Sequence, residues 1–183
     1  MKAASDSKNP SSAHMVDHSR RVWKRCRALS KAVGGDSEVL VAAAYLHDLG
    51  RHGGHIIHGQ RSARLAKPIL VKERFPKEKI PDVLDAIAVH DWQTPDRMRK
   101  TLESRILYDA DKLDVFGAIG VKRHILYFYH NKCENASAND IIRILQTKWR
   151  SLCLKESRKL AKKDYEYGIS FFKRLAAEEG GQA

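Results

Sequence analysis

The chain has 183 residues, 43% hydrophobic and 31% charged, with a formal net charge of +12. That length carries enough apolar side chain for one buried core, and the charge attracts anions, among them nucleotides and nucleic acids. No apolar run approaches the ~18 residues of a membrane span, and the polar start to Ser12 lacks the apolar centre of a signal peptide. Cys26, Cys133 and Cys153 are odd in number and widely spaced, with no Cys-x-x-Cys pair. They read as free thiols in a reducing, cytoplasmic setting.

In chain order, residues 1–12 read as a flexible tail. Met15, His18, Val22, Cys26, Leu29 and Val33 then step by three or four, the signature of one buried helix face. Gly34-Gly35 ends that helix, and Asp36 or Ser37 can cap the next, an alanine-rich apolar helix running to about Leu49. Residues 51–57 form a loop rich in Gly and His. A third helix is expected over 59–73 with a kink or break at Pro68, a fourth over 82–92 beginning near Pro81, and a fifth segment over 98–116. Three more follow over 117–130, 137–154 and 157–177, with a loop at 131–139 and a frayed end at 179–183. No alternating strand pattern and no repeat stands out. The expected fold is all-α, a single helical domain over residues 13–178.

Several polar groups fall on the apolar faces of these helices. His18 lies on the first stripe, His47 on Leu40, Ala44, His47, His90 on Val83, Ile87, His90, and Asp111 on Leu107, Asp111, Val115. A satisfied core histidine explains any one of the histidines taken alone, and a helix-capping or salt-bridged carboxylate explains Asp111. Several buried imidazoles and carboxylates together call for something that satisfies them all, since burying such groups without partners is costly. Mixed nitrogen and oxygen donors without a thiolate suit Mn²⁺, Fe²⁺, Co²⁺, Ni²⁺ or Zn²⁺ in a site other than a structural zinc site.

Three segments carry a resemblance. Asp17-His18-Ser19-Arg20-Arg21-Val22, Tyr45-Leu46-His47-Asp48-Leu49-Gly50-Arg51 and Asp109-Ala110-Asp111-Lys112-Leu113-Asp114, in this order and at these separations, resemble the HD-domain superfamily of metal-dependent phosphohydrolases. The resemblance spans about residues 17–121, and Gly117-Ala118-Ile119-Gly120 resembles the continuation found in small stand-alone members. It implies an all-α HD-domain bundle, with a divalent ion (Mg²⁺ included) held by His18, His47, Asp48 and Asp111. It further implies that Asp48 orients an attacking water, and that Arg51 and Lys112 face substrate phosphate. His58 would protonate the leaving group or bind phosphate. His58 and His90 are also candidates for a second ion or for supporting the first, as is Asp114, one turn beyond Asp111. Asp109 is open as a further ligand or support. The Gly-Tyr-Pro motif and paired histidines of two-metal cyclic-dinucleotide phosphodiesterases are missing, which favours one ion.

His14, His52, His55, His124 and His130 attract less interest: the first abuts the polar tail, the next two sit in the Gly-rich loop, and the last two read as packing or surface residues. The substrate this implies is a small phosphorylated metabolite, foremost a nucleotide. From Arg143 to Arg174 there are ten Lys or Arg against three acidic residues. That excess keeps two alternatives open: phosphodiester cleavage in RNA or in cyclic or oligonucleotides, and a non-catalytic, metal-containing module that binds nucleotides or nucleic acid.

Overall fold

The computed structural model describes residues 10–51, 58–130 and 137–181. Among them are eight α-helices, α1 (Pro10–Val33), α2 (Ser37–Leu46), α3 (Gly59–Lys72), α4 (Ile80–Ala88), α5 (Leu102–Lys112), α6 (Gly117–His130), α7 (Ala138–Arg150) and α8 (Lys155–Glu179), with short 3₁₀ turns between some of them and no strand. No helix among the described residues is long and apolar enough to cross a membrane. Residues 1–9 of the expected tail lie outside the described residues, and α1 begins at Pro10, inside the span expected to be a tail.

The contacts divide the chain into two compact units, residues 1–107 and 108–183. In the first, α2 packs against α1, α3 and α4. Its residues Val39, Leu40, Ala43 and Ala44 are fully buried, and the small side chain of alanine lets neighbouring backbones come close. Gly34 and Gly35 turn the chain between α1 and α2 with φ of 89° and 110°, in the left-handed region that favours glycine. The next residue, Asp36, caps α2 by accepting from the backbone N–H of Glu38 (2.8 Å) and Val39 (3.2 Å). Its own N–H donates to Glu103 on α5 at 2.9 Å, which ties the turn to the unit.

Two helix boundaries differ from expectation. Pro68 does not end α3, which runs through it to Lys72. The proline is exposed, so the carbonyl it leaves without an N–H partner can be hydrated. The second and fourth helices stop short, at Leu46 and Ala88, so His47-Asp48 and His90-Asp91 follow helices rather than lying within them.

In the second unit, Leu113, Phe116, Val121, Ile141, Ile142, Leu145, Leu152 and Phe172 form one buried cluster. Trp149 stacks on Tyr165 with ring centroids 4.2 Å apart, and Phe116 meets both rings edge-on. Ser137 and Asp140 form a capping box at the start of α7. The glycines of Gly117-Ala118-Ile119-Gly120 have a steric basis. Gly117 has φ 70°, and a Cβ on Gly120 would fall 2.0 Å from the Val115 carbonyl oxygen. Three of the basic residues of α7 and α8 pair with carboxylates along their own helices, Arg143 with Asp140, Lys162 with Glu166 and Arg174 with Glu178.

Candidate functional site

The site of the first unit is assembled from helix ends. The last carbonyls of a helix have no intrahelical donor, and two histidines use them. His47 Nδ1 donates to the Ala44 carbonyl at 2.9 Å, and His90 Nδ1 donates to the Ile87 carbonyl at 2.6 Å. A carbonyl can only accept, so in each neutral ring Nδ1 carries the proton and Nε2 keeps a lone pair. Both rings are buried, His47 completely.

Those lone pairs are turned toward the Asp48 carboxylate, which is itself buried. His47 Nε2 lies 3.6 Å and His90 Nε2 3.7 Å from Asp48 Oδ1. His18, from the middle of α1, places its Nε2 3.7 Å from Asp48 Oδ2 and 3.3 Å from His47 Nε2. His58, immediately before α3, donates from Nε2 to Asp48 Oδ1 at 2.7 Å, and the same atom is 3.1 Å from His90 Nε2. Burial pulls the His58 imidazole down, but the hydrogen bond to Asp48 and the charges of Asp48 and Asp91 outweigh it, so its pKa is raised.

The donor set fits a divalent cation. His47, Asp48 and His90 each offer an atom within 4.8 Å of the others, as do His58, His90 and Asp91. A histidine whose second nitrogen is bound to a carbonyl is the usual arrangement of a metal ligand, because that bond fixes the ring and the tautomer. Arg51 stands at the edge with its side chain half-exposed, and its Nη1 lies 3.2 Å from Asp48 Oδ2.

The first unit thus brings His18, His47, Asp48, His58 and His90 together, with Arg51 beside them. The other expected residues belong to the second unit. Asp111, on the last turn of α5, accepts a hydrogen bond from Lys112, whose Nζ also sits 5.0 Å from the centre of the Tyr108 ring. Asp114 pairs with Arg123. Asp109 accepts from the N–H groups of Cys153 and Leu154, both at 2.8 Å, and from Ser157 Oγ at 2.6 Å, so it acts as a pin for the start of α8. His124 packs edge-on against Phe172. His52, His55 and the side chains of His14 and His130 lie outside the described residues.

Asp91 is the residue that sequence reasoning passed over. It is almost completely buried, and its Oδ2 accepts from the N–H of His58 (3.0 Å) and of Gly59 (2.6 Å). The signal was present: His90-Asp91 is a second His-Asp pair which, like His47-Asp48, directly follows an apolar helix.

Buried histidines grouped on a carboxylate in an all-helical chain make a histidine–aspartate cluster that could hold a cation. The family model for the HD domain matches residues 15–115, more than half of the chain, and this protein belongs to that family. Solved structures share its fold. A protein described as a predicted HD superfamily hydrolase from an uncultured Thermotogales bacterium is 25% identical, with a TM-score of 0.65 over 95% of this chain and 85% of its own. An HD-superfamily hydrolase from Bacillus thuringiensis is 23% identical, with a TM-score of 0.70 over 96% and 91%. Bacillus subtilis YpgQ, in complex with ADP, is 18% identical, with a TM-score of 0.65 over 88% and 84%. No protein of curated function matches the sequence.

Proposed function

We propose that this protein is a metal-dependent phosphohydrolase that cuts a phosphate ester or anhydride bond in a small metabolite, foremost a nucleotide. One observation carries the reading: the Nε2 atoms of His18, His47, His58 and His90 surround the buried Asp48 carboxylate, three of them at 3.6 to 3.7 Å and His58 at 2.7 Å. His18, His47 and Asp48 are the ligands proposed from this cluster, and the family resemblance adds Asp111 as the fourth. A divalent ion bound there supplies Lewis acidity and a water that ionises near neutral pH.

The chain's own groups do the rest. Asp48 orients the water that attacks phosphorus. His58 Nε2 bears a proton inside the cluster, since the carboxylate it meets can only accept, and it delivers that proton to the leaving oxygen as the P–O bond breaks. Arg51 at the rim and Lys112 neutralise the charge on the phosphoryl oxygens. Nucleotide as substrate class draws support from the ADP complex of the B. subtilis relative. An RNA substrate draws support from the basic excess over residues 143–174 alone.

The test supplies Mn²⁺ or Co²⁺ to the purified protein and follows phosphate and pyrophosphate release from nucleoside mono-, di- and triphosphates. Turnover that needs the metal and disappears in Asp48→Ala is expected. Absence of turnover with every metal and nucleotide overturns the reading.

A further inference from the structure

We propose that Asp91 is a positioning residue that sets the place and orientation of His58 in the site. The proposal rests on the hydrolase reading for its effect on turnover, and on geometry for the rest. Residue 58 directly precedes α3, where the first backbone N–H groups have no helical acceptor. The His58 side chain itself makes no capping hydrogen bond there. Asp91 does so from the loop after α4: Oδ2 takes both the His58 and the Gly59 N–H, at 3.0 and 2.6 Å.

The other carboxylate oxygen faces the ring. Asp91 Oδ1 lies 3.1 Å from His58 Nδ1. Both atoms are out of contact with water, and among the described residues neither has a hydrogen-bond partner elsewhere. His58 is therefore held between two carboxylates, with Nε2 on Asp48 and Nδ1 toward Asp91. The same aspartate fixes the backbone and the ring of one residue, which leaves Nε2 a single direction, into the cluster.

The approach is built for closeness. A Cβ on Gly59 would lie 2.7 Å from the Ala88 carbonyl oxygen and 2.8 Å from both the Ile87 carbonyl oxygen and Asp91 Oδ2. Only glycine lets the start of α3 come this near the end of α4. The loop is held in turn by Arg99, a buried arginine whose Nη2 donates to the Asp91 and Thr94 carbonyls at 2.9 and 2.8 Å.

The experiment uses the full-length protein with ¹⁵N-labelled histidine, without metal, and the variants Asp91→Ala and Asp91→Asn. Asp91→Asn keeps an oxygen for the two N–H groups and so preserves the cap, while it removes the carboxylate from the ring. Both variants are expected to move the His58 Nδ1 resonance and leave that of His47 in place. Unchanged His58 resonances overturn the proposal whether or not the protein hydrolyses anything. With Mn²⁺ and a substrate found by the nucleotide panel, Asp91→Asn should lower kcat about 10- to 100-fold with little change in KM. In a His58→Ala background the same substitution should change kcat by less than about twofold, because its effect runs through His58. An equal loss in both backgrounds overturns it. No turnover at all, together with a displaced His58 resonance, refutes the hydrolase reading and leaves the positioning role standing.

Discussion

Removing the carboxylate of Asp109 tests whether that residue is a pin or a ligand. Asp109 is fully buried and accepts from Cys153 N, Leu154 N and Ser157 Oγ at 2.8, 2.8 and 2.6 Å. Asp109→Ala strands three donors at the beginning of α8. A hydrogen bond to a charged group contributes ~1.5–3 kcal/mol, and a stranded buried donor costs ~1–3 kcal/mol. Against this, the variant no longer has to bury a carboxylate, a cost large enough that burial raises the Asp109 pKa despite its hydrogen bonds to Ser157, Cys153 and Leu154. Taking part of the three-bond loss as offset, the net destabilisation is about 2–4 kcal/mol.

For a chain of this length, that lowers Tm by roughly 5–15 °C. Urea or thermal unfolding followed by circular dichroism reads the loss, and Mn²⁺ titration of the same variant at low temperature should give wild-type affinity. A destabilisation below about 1 kcal/mol would refute the pin, and a lost Mn²⁺ site in a folded variant would restore Asp109 as a ligand. The sign with pH follows from the raised pKa. Its contribution is fully present below the unfolded value of about 3.9 and declines as pH rises through the folded value, so the gap between wild type and variant should narrow from acid to neutral pH.

Three other outcomes are expected. Gly59→Ala drives a Cβ to within 2.7 Å of the Ala88 carbonyl oxygen and should cost about 1–3 kcal/mol in urea unfolding; wild-type stability would show that α3 can move away. Burial, with Arg123 nearby, pushes the His124 imidazole from 6.5 down to about 4. Its neutral form contributes stability above the unfolded value that is lost as pH falls through the folded one, at most about 3 kcal/mol, and His124→Leu should flatten this part of the stability profile between pH 6.5 and 4. Mn²⁺ at ~100 times its Kd should stabilise the protein by ~2.7 kcal/mol, a rise of roughly 5–10 °C in Tm. Asp48→Ala should abolish that rise, and an equal rise in the variant would place the ion elsewhere.

Most helices were legible because their apolar faces repeat at helical spacing. Val22, Cys26 and Leu29 on α1 and Val83 and Ile87 on α4 are buried as their pattern demands. Their ends were less so. Nothing in Leu46-His47-Asp48-Leu49 breaks a helix by propensity; the helix stops because the imidazole takes the Ala44 carbonyl and the carboxylate turns to three other elements. Pro68 differs in the opposite direction: it does not break α3, since its cost depends on whether the carbonyl it orphans meets water.

The same distinction explains the site. His18, His47 and His90 stand out on apolar stripes, where an imidazole contradicts its neighbours. Asp91 has no such contrast, because an aspartate after a helix reads as an ordinary turn residue. Its importance comes from a partner 33 positions away in the chain, which only the packing of α3 against α4 brings within 3.0 Å. Asp48 and Asp91 occupy equivalent places after two helices, and they do different work for one reason. Asp48 is met by four imidazole nitrogens and forms the bed of the candidate cation site. Asp91 is met by two backbone N–H groups and one imidazole, so its charge is spent on a helix start and on the ring beside it. What surrounds each carboxylate, rather than the dipeptide it belongs to, sets the work it does.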